Sequence, residues 1–351
     1  MTSTSQASTS ASTGLPPHVE MMRMLHAPLV TQALVVAAEL GIADLLADGP
    51  RTVASLADAV AVDPDALYRV LRALAGSGVF CEVSAGTFAS TPLADTLRSG
   101  GEHSLRDWAR LWGVPQRHAA LGDLLHSVRT GEPSFEHLHG ISWWSHLAAR
   151  PDQAAVFDAA MGDLARRLHA ATVEAYDLSA TGHLIDVGGG RGHLVAALLR
   201  RYPGLRATVF DQPEVIRHAG AVLAGAGVGE RAQLVSGDFF TEVPAGADAY
   251  LMSMILHDWN DAQVLAILTN VRQAMGPGSE LLVVDAIVPE GNGAHDGKLR
   301  DLIMLALHPG RERTEAEFAD LFARAGLRLR ETREVAASTG LLVAVPVTGT
   351  R

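Results

Sequence analysis

The sequence predicts an α/β fold in which a doubly wound parallel sheet follows a mostly helical domain. From about residue 173 onward, short apolar runs alternate with segments of helical periodicity, as is typical of βαβ units. The first of these runs ends in the glycine-rich segment Asp186–Gly192, which precedes the helical run Leu194–Arg201. Before residue 173, helical patterns are separated by short turns. The sequence therefore divides into a helical first part and an α/β second part.

The composition excludes several classes of protein. The chain has 351 residues, of which 48% are hydrophobic, so it is long enough for two domains and is not mostly disordered. Its net charge of −11 argues against a general attraction to nucleic acid or to an anionic membrane. The single cysteine, Cys81, excludes an internal disulfide and fits a cytoplasmic location. The early apolar stretch Ala33–Ala47 contains charged residues and is too short to cross a membrane.

The predicted domain organisation has four parts. They are a disordered tail (1–17), a winged-helix-like dimerisation domain (18–110), a helical connector that contributes to the substrate pocket (111–172) and a cofactor-binding catalytic domain (173–351).

Seven apolar runs in the catalytic domain predict its strands. They are Leu184–Val187, Ala207–Asp211, Ala232–Ser236, Ala247–Met252, Glu280–Asp285, Leu327–Val335 and Leu341–Val345. The last two are expected to pair as a hairpin around Ser338–Gly340. Helices are predicted over Asp261–Met275 and Glu315–Ala325. Thr314 and Glu317 have the spacing of a capping box at the start of the second helix.

The first domain has the pattern of a winged helix. Helices over Val53–Val60 and Asp65–Gly76 flank a turn, and β-like segments follow at Val79–Val83 and Thr87–Ser90. A winged helix often binds DNA, but residues 1–110 hold seven arginines against eleven acidic residues. DNA binding needs positive charge against phosphate. The domain is therefore predicted to form dimer contacts and to wall the active site.

The glycine-rich turn predicts a cofactor site at the first βα junction. Gly188, Gly190 and Gly192 follow Asp186 with the spacing G-x-G-x-G, and glycine lets the backbone approach a ligand closely. A dinucleotide site would have a small residue at the position of His193. The tighter pattern favours S-adenosylmethionine, which has no pyrophosphate, over NAD(P).

Two further acids fall at the same predicted sheet edge. Asp211 ends the second strand, where a carboxylate accepts hydrogen bonds from ribose hydroxyls. Asp238 follows the third strand and, with Phe239, is placed to hold an adenine ring. The alternative interpretation is a helix-capping Asp211 and a turn aspartate beside a core phenylalanine.

His257, after the fourth strand, is a candidate general base. Imidazole has an ordinary pKa of about 6.5 and assists a phenol, whose pKa is about 10, in losing its proton. Asp285 and Glu312 are expected at the same edge of the sheet as His257, where either could orient the imidazole. The alternatives are that His257 caps a helix or packs on Trp259, and that Glu312 pairs on the surface with a neighbouring arginine.

The sequence predicts no metal site. His137 and His139 are the only close histidine pair, and they lie in a loop-like segment with no third ligand nearby in the sequence.

These motifs together resemble the plant-type small-molecule O-methyltransferases (the caffeic-acid and hydroxyindole group), in their bacterial natural-product branch. The matching segments are Asp186–Gly192, Gly237–Phe240, Leu256–Trp259, Val284–Pro289 and Gly310–Thr314. The resemblance spans about residues 18 to 346. It implies a Rossmann-like class I methyltransferase fold, an intertwined homodimer and a small-molecule acceptor.

The resemblance also implies residue roles. His257 corresponds to the catalytic base, flanked by Asp285 and Glu312. Cofactor contacts are implied for Gly188, Asp211, Asp238, Phe239 and Ser253. Phe157 and Met161, on the helix before the catalytic domain, correspond to substrate-pocket residues, and we add Trp259 to that pocket.

Two departures from the family pattern bear on function. Pro309-Gly310 replaces a Gly-Gly pair, which stiffens the loop that carries Glu312. Asp285 stands where glutamate is common and is one methylene shorter, so a looser contact with His257 is expected.

The sequence thus predicts an S-adenosylmethionine-dependent O-methyltransferase of a small aromatic or polyketide-like metabolite. The alternatives are a same-fold enzyme that transfers no methyl group (a decarboxylase, hydroxylase or pericyclase), an N-methyltransferase, an NAD(P)-dependent oxidoreductase and a winged-helix regulator.

Overall fold

The computed structural model describes residues 14–101, 103–336 and 338–347. Most of the predicted disordered tail, residues 1–17, lies outside the described residues, and the first helix begins at Pro17. The chain separates into two compact units. The first comprises Met1–Ala119 with Trp144–Leu164, and the second comprises Ala120–Trp143 with Ala165–Arg351.

The helices and strands have the following bounds. The helices are α1 (Pro17–Glu39), α2 (Ile42–Leu45), α3 (Val53–Val60), α4 (Pro64–Gly76), α5 (Pro92–Asp95), α6 (Arg106–Leu111), α7 (Pro115–Gly122), α8 (Leu124–Thr130), α9 (Ser134–His139), α10 (Trp143–Ala149), α11 (Pro151–Ala175), α12 (His193–Arg201), α13 (Pro213–Ile216), α14 (Ala219–Gly225), α15 (Asp261–Ala274), α16 (Asp296–Leu307) and α17 (Glu315–Arg324). The strands are β1 (Arg51–Thr52), β2 (Cys81–Ser84), β3 (Thr87–Ala89), β4 (His183–Val187), β5 (Arg206–Asp211), β6 (Ala232–Ser236), β7 (Ala249–Ser253), β8 (Glu280–Ala286), β9 (Leu327–Ala336) and β10 (Thr339–Pro346).

The first unit contains the predicted winged helix. Helix α3 begins where the side chain of Thr52 accepts a hydrogen bond from the backbone N–H of Ser55, and Asp63 caps α4 in the same way. Strands β1, β3 and β2 form a small antiparallel sheet beside these helices. The sequence does not predict the two-residue strand β1, because two residues are too few to show alternation.

Helix α1 leaves much of its apolar surface exposed in this chain. Its exposed large apolar side chains are those of Met21, Met22, Met24, Leu25, Leu29 and Val36. By length and composition alone, α1 would also be able to cross a membrane. An apolar surface of this kind on a folded domain indicates a contact with another molecule.

The second unit is built on a seven-stranded sheet of order β6-β5-β4-β7-β8-β10-β9. The first five strands in this order are parallel, and β10 runs antiparallel to both β8 and β9. The expected parallel sheet therefore ends in the expected hairpin, which makes it a mixed sheet. Its order reverses between β4 and β7, so the carboxyl ends of these two strands flank a crevice.

Both faces of this sheet are covered by helices. Leu184 of β4 belongs to an apolar cluster with Leu198 of α12 on one face. The next residue, Ile185, belongs to a second cluster with Ile267 of α15 and Phe318 of α17. Because adjacent side chains of one strand are buried on opposite faces, the central strands read as continuous apolar runs rather than as alternating ones.

The helices that follow the site loops begin at strong caps. Thr314 and Glu317 form the predicted capping box at α17, and Asn260 and Gln263 form a second one at α15. These caps fix where the loops after β7 and before α17 end. The loops that carry the predicted catalytic residues are thus anchored at their helical ends.

Candidate active site

The glycine-rich turn after β4 leaves open space at Gly190, where a Cβ atom would have no neighbour within 4 Å among the described residues. Gly188, Gly190 and Gly192 have φ angles of +75°, +60° and +76°, in the left-handed region that favours glycine. A Cβ atom on Gly188 would lie 2.6 Å from Cδ1 of Ile255 and 3.8 Å from a ring carbon of Phe239. A side chain at Gly188 would therefore collide with Ile255, so glycine is required where the turn packs against this residue.

The carboxylate of Asp211 ties the end of β5 to this turn. It accepts hydrogen bonds of 2.7 Å from the backbone N–H groups of Gly190 and Gln212, one on each oxygen. Each oxygen retains a further lone pair, so it can also accept from a ligand hydroxyl.

The pKa values of two acids at this turn are raised. Burial raises the pKa of Asp211. Burial and the negative charge of Asp211 raise the pKa of Asp186 to about 7. Asp186 is almost fully buried, and its Oδ2 lies 2.8 Å from the position of a Cβ atom on Gly189.

Asp238 and Phe239 lie at the end of β6, as predicted. Asp238 accepts a hydrogen bond of 2.9 Å from the backbone N–H of Phe240, and the Asn270 side chain donates to the carbonyl of Phe239. The rings of Phe239 and Trp259 meet edge to face at 6.0 Å. The predicted substrate residue Trp259 thus lies among the aromatic side chains next to the glycine turn.

A cavity of 180 Å³ opens at the turn. It is lined by His169, Asp186, Gly188, Gly189, Gly190, Arg191, His193, Leu194 and Ser253. This volume is below the roughly 300–1,000 Å³ typical of whole small-molecule sites, so it fits the part of a ligand next to the glycines. Ser253, predicted as a cofactor contact, is in the lining.

His169 and His193 are two cavity residues that sequence reasoning did not assign to the site. Burial, reinforced by His193, lowers the pKa of His169 to about 4, and burial also lowers the pKa of His193. Both imidazoles are therefore neutral at pH 7. No sequence pattern marks His169, because it lies on α11, outside every motif of the catalytic domain.

His257 sits in a short 3₁₀ turn, Leu256–Asp258, just after β7. Met254, at the end of this strand, has a φ of +56°, a strained backbone conformation for a side chain of this size. The backbone N–H of His257 donates to Asp285 Oδ2 at 3.1 Å. The neighbouring strand β8 therefore holds the turn through a buried carboxylate.

Three carboxylates surround the imidazole of His257. Its Nδ1 lies 3.4 Å from Glu312 Oε1 and 3.8 Å from Asp285 Oδ1, and its Nε2 lies 3.6 Å from Asp258 Oδ1. The structure thus brings the three predicted catalytic residues together and adds Asp258. As expected from its shorter side chain, Asp285 makes the looser side-chain contact.

The charges around His257 change its titration. Burial alone would lower the pKa of His257, but Asp285, Asp258 and Glu312 outweigh it and raise the pKa to about 10. Burial also raises the pKa of Asp285 to about 6. Free of substrate, the imidazole therefore carries a proton at neutral pH, whereas an imidazole with the ordinary pKa of about 6.5 is mostly neutral there. The negative charge of the surrounding carboxylates stabilises the imidazolium.

Glu312 is buried rather than part of a surface cluster. Its backbone N–H donates to Asp301 at 2.8 Å, and Arg300 Nε lies 3.7 Å from Glu312 Oε1. Burial would raise the pKa of Glu312, but His257 and Arg300 outweigh it and lower the pKa. Arg311 instead pairs with Glu317 on the surface. The alternative of a solvated cluster around Glu312 is therefore wrong.

Arg313 is a buried anchor that sequence reasoning missed. Its guanidinium donates to the carbonyls of Leu256 (2.9 Å) and Trp259 (2.7 Å) and pairs with Asp261 at 2.8 Å. These partners flank His257 on both sides in the chain. Arg313 therefore fixes the path of the turn that carries the imidazole. A buried arginine is hard to foresee because the same residue type is usually solvated.

The predicted pocket residues Phe157 and Met161 belong to the first unit. They lie on α11, where Phe157 packs edge to face on Trp144 at 5.6 Å. Their role toward a substrate stays a prediction.

The mixed seven-stranded sheet, its glycine turn and the acids at the adjoining strand ends define a class I methyltransferase. The chain belongs to the O-methyltransferase family. The family's model of the O-methyltransferase domain matches residues 121–328, and that of the O-methyltransferase dimerisation domain matches residues 22–100. The protein is therefore an S-adenosylmethionine-dependent O-methyltransferase with a dimerisation domain.

Relatives of known activity agree with this assignment. A phenazine O-methyltransferase of Lysobacter antibioticus is 43% identical over 93% of this chain and 96% of its own length. An O-methyltransferase of neocarzinostatin biosynthesis has been solved with S-adenosylmethionine and 2-hydroxy-5-methyl naphthoic acid. It is 34% identical and covers 96% of this chain and all of its own, with a TM-score of 0.80.

Two relatives of similar identity have other activities. An 8-amino-8-demethylriboflavin N,N-dimethyltransferase of Streptomyces davaonensis is 40% identical over 85% of this chain and 86% of its own length. An aclacinomycin 10-hydroxylase of Streptomyces purpurascens is 38% identical over 89% of this chain and 85% of its own. The acceptor atom and the retention of methyl transfer therefore have to be argued from this chain's own residues.

Proposed function

We propose that this O-methyltransferase methylates a phenolic hydroxyl of a small aromatic or polyketide-like metabolite, with His257 as the general base. The observation that carries the proposal is the placement of His257. Its imidazole follows β7 directly, is held by Glu312 and Asp285, and lies one strand from the glycine turn on β4. Acceptor and cofactor are thus brought to the same sheet edge.

The residues present fit S-adenosylmethionine. The open space at Gly190 allows a ligand to approach the backbone closely, and the free lone pairs of Asp211 suit a ribose diol. Asp238 and Phe239 offer a polar and an aromatic contact for the adenine, and Ser253 lies in the cavity at the turn. When bound, the cofactor supplies a methyl group already activated by a sulfonium.

In its neutral form, which the raised pKa makes the minor form at neutral pH, His257 would accept the acceptor's proton on Nε2. Its Nδ1 faces Glu312 and Asp285, which orient the ring and stabilise the imidazolium that forms. The neighbouring carboxylates raise the pKa of His257 toward that of a phenol, so the neutral base is strong enough to take a phenolic proton but becomes the major form only at alkaline pH. A base at this position favours the oxygen of a phenol over an aryl amine, because an aryl amine loses no proton before it attacks.

A screen with methyl-labelled S-adenosylmethionine and phenolic acceptors tests this function. A product that carries the label on oxygen and is heavier by one methylene group supports it. Label on nitrogen would show an N-methyltransferase. Product formed without label would show a same-fold enzyme such as a hydroxylase, and either outcome would overturn the proposal.

Replacing Asp211 by asparagine is expected to weaken binding of S-adenosylhomocysteine by about 10-fold or more. The change removes a charge that strengthens hydrogen bonds to the ribose, each worth roughly 1.5–3 kcal/mol. Calorimetry measures the Kd. Glu230→Gln, which removes an exposed carboxylate outside the proposed cofactor site, is the control and should bind normally. Equal affinity in both variants would remove Asp211 from the cofactor site.

Replacing Glu312 by glutamine is expected to move the pH profile of kcat to lower pH. The carboxylate raises the pKa of His257, so its loss lowers that pKa and the base form appears earlier as pH rises. In the unaltered enzyme, kcat should rise toward about pH 10. Maximal kcat should fall in the variant, since the weaker base is also less well oriented. The exposed Glu315→Gln serves as control, and an unmoved midpoint would contradict the assignment.

We also propose that the chain forms a cytoplasmic homodimer through α1 and its neighbours. The dimerisation-domain match covers residues 22–100, which include the exposed apolar side chains of Leu25 and Leu29. Burying them against a second copy, rather than lipid, agrees with the net charge of −11. Sedimentation should give twice the mass of the chain and no flotation with vesicles; a monomer or a vesicle-bound fraction would refute it.

A further inference from the structure

Two helices outside the active site bring a carboxylate and two imidazoles together. Asp123, just before α8, His126 in α8 and His137 in α9 form what we call the α8–α9 cluster. One ligand atom of each residue lies within 4.8 Å of the others. The two imidazole rings stack at 3.8 Å with an angle of 10° between their planes. Asp123 Oδ2 lies 3.9 Å from His137 Nε2.

One polar atom of this cluster lacks a hydrogen-bond partner. Asp123 Oδ2 is buried and makes no hydrogen bond within residues 14–101, 103–336 and 338–347. At the position before a helix, an aspartate side chain usually caps the first turn, but that of Asp123 does not. A buried carboxylate oxygen without a partner costs free energy, which a cation between the three side chains would remove.

We propose that the α8–α9 cluster binds a divalent transition-metal ion of the Zn²⁺ class. Two imidazole nitrogens and one carboxylate oxygen are ligands that Zn²⁺ and its neighbours accept, at about 2.0–2.2 Å, with the fourth position left to water. Such distances need ligand atoms about 3.4 Å apart. In the stacked arrangement the nitrogen lone pairs of the two rings lie in nearly parallel planes, so the half-exposed side chain of His137 would have to rotate out of the stack for both imidazoles to bind one ion.

The partner of His137 differs from the one suggested by the sequence. The sequence places His137 and His139 in a loop, yet both lie on α9, and the ring of His139 packs on Phe135 instead. The fold pairs His137 with His126, eleven residues earlier. A search for closely spaced ligands in the sequence could not identify the α8–α9 cluster, because its three side chains come together only when α8 packs against α9.

The ion would act on the fold rather than on methyl transfer. Helix α9 contacts α16 through Ser134, whose hydroxyl reaches the carbonyls of Ala120 and Ala306. Helix α16 also carries Arg300 and Asp301, the two residues that hold Glu312. Joining α8 to α9 through a metal would therefore stiffen the layer behind Glu312.

Calorimetry with Zn²⁺ on untagged, chelator-treated full-length protein tests the proposal. We expect one ion per chain and a rise of a few degrees in Tm at about 100 times the Kd. With Co²⁺ as probe, visible absorption bands should report nitrogen and oxygen ligands. His126→Ala should weaken Zn²⁺ binding by about 100-fold or more, because losing a ligand exceeds the roughly 10–100-fold cost of losing a supporting contact.

His139→Ala is the matched control, since it removes an imidazole from the same helix as His137 but not from the cluster. It should leave Zn²⁺ affinity unchanged. No Zn²⁺ uptake by the unaltered protein, or equal losses in the two variants, would overturn the proposal. Binding of S-adenosylhomocysteine by each variant shows that it is folded. Methyl transfer by the chelator-treated enzyme should persist, so the metal site and the proposed function are tested separately.

Discussion

Replacing His257 by alanine is expected to lower kcat about 10²–10⁴-fold, the usual scale for loss of a general base. Without the imidazole, the acceptor hydroxyl must lose its proton to water, while alignment against the cofactor is unchanged. The carboxylates of Asp285, Asp258 and Glu312 lose the cation that they surround in the native enzyme. The variant should therefore also show raised pKa values at this site, and single-turnover assays with labelled cofactor measure the chemical step.

Two measurements separate this effect from misfolding. The Kd for S-adenosylhomocysteine should stay close to that of the unaltered enzyme, because His257 does not line the cavity at the glycine turn. His218→Ala, at an exposed position, should retain full kcat. Unreduced kcat in His257→Ala would mean that alignment alone drives the reaction and that the acceptor needs no base.

Replacing Gly310 by alanine is expected to cost about 10²-fold in kcat, the scale of a roughly 1 Å misplacement in an active site. A Cβ atom at this position would overlap the carbonyl oxygen of His257 and would lie 2.5 Å from the carbonyl carbon of Asp258. These atoms belong to backbone, so the loop that carries Glu312 and the turn that carries His257 must move apart. Overpacking of this kind also costs roughly 1–3 kcal/mol of stability.

Gly293→Ala provides the matched control for this substitution. Gly293 lies in the loop before α16, where a Cβ atom would have no neighbour within 4 Å among the described residues, so the variant should behave like the unaltered enzyme. Thermal unfolding reports the loss of stability, and kcat with saturating acceptor reports the displaced loop. If Gly310→Ala kept full kcat, close backbone contact between the two loops would not be needed for catalysis.

Much of the fold was predictable from local pattern. Helix Val53–Val60 and strand Ala232–Ser236 have the predicted bounds, and the capping box of Thr314 and Glu317 begins α17 as expected. These features depend on residues only a few positions apart, so periodicity and capping chemistry are enough to identify them. Strand β10 also follows from the apolar run Leu341–Val345, and its hairpin partner β9 is next to it in the chain.

The candidate site was predicted in part. The glycine turn, Asp211 and His257 fall at strand ends, where the topology of a doubly wound sheet requires functional residues to be. The roles of Arg313, Asp258 and His169 were not foreseen. Arg313, for example, contacts carbonyls more than fifty residues away in the sequence. The residues next to it do not distinguish it from Arg311, which forms an ion pair on the surface.

The sequence alone determined the family, the methyl donor and the order of strands along the chain. Short motifs and the alternation of apolar runs are enough to predict each of these features. Tertiary structure decided the electrostatics. Asp285 and Glu312 lie 28 and 55 residues beyond His257, and only packing of their loops turns an ordinary imidazole into one with a pKa of about 10. The α8–α9 cluster likewise exists only once two helices pack. Coulomb interactions depend on distance in space, which the spacing of residues along a chain does not fix.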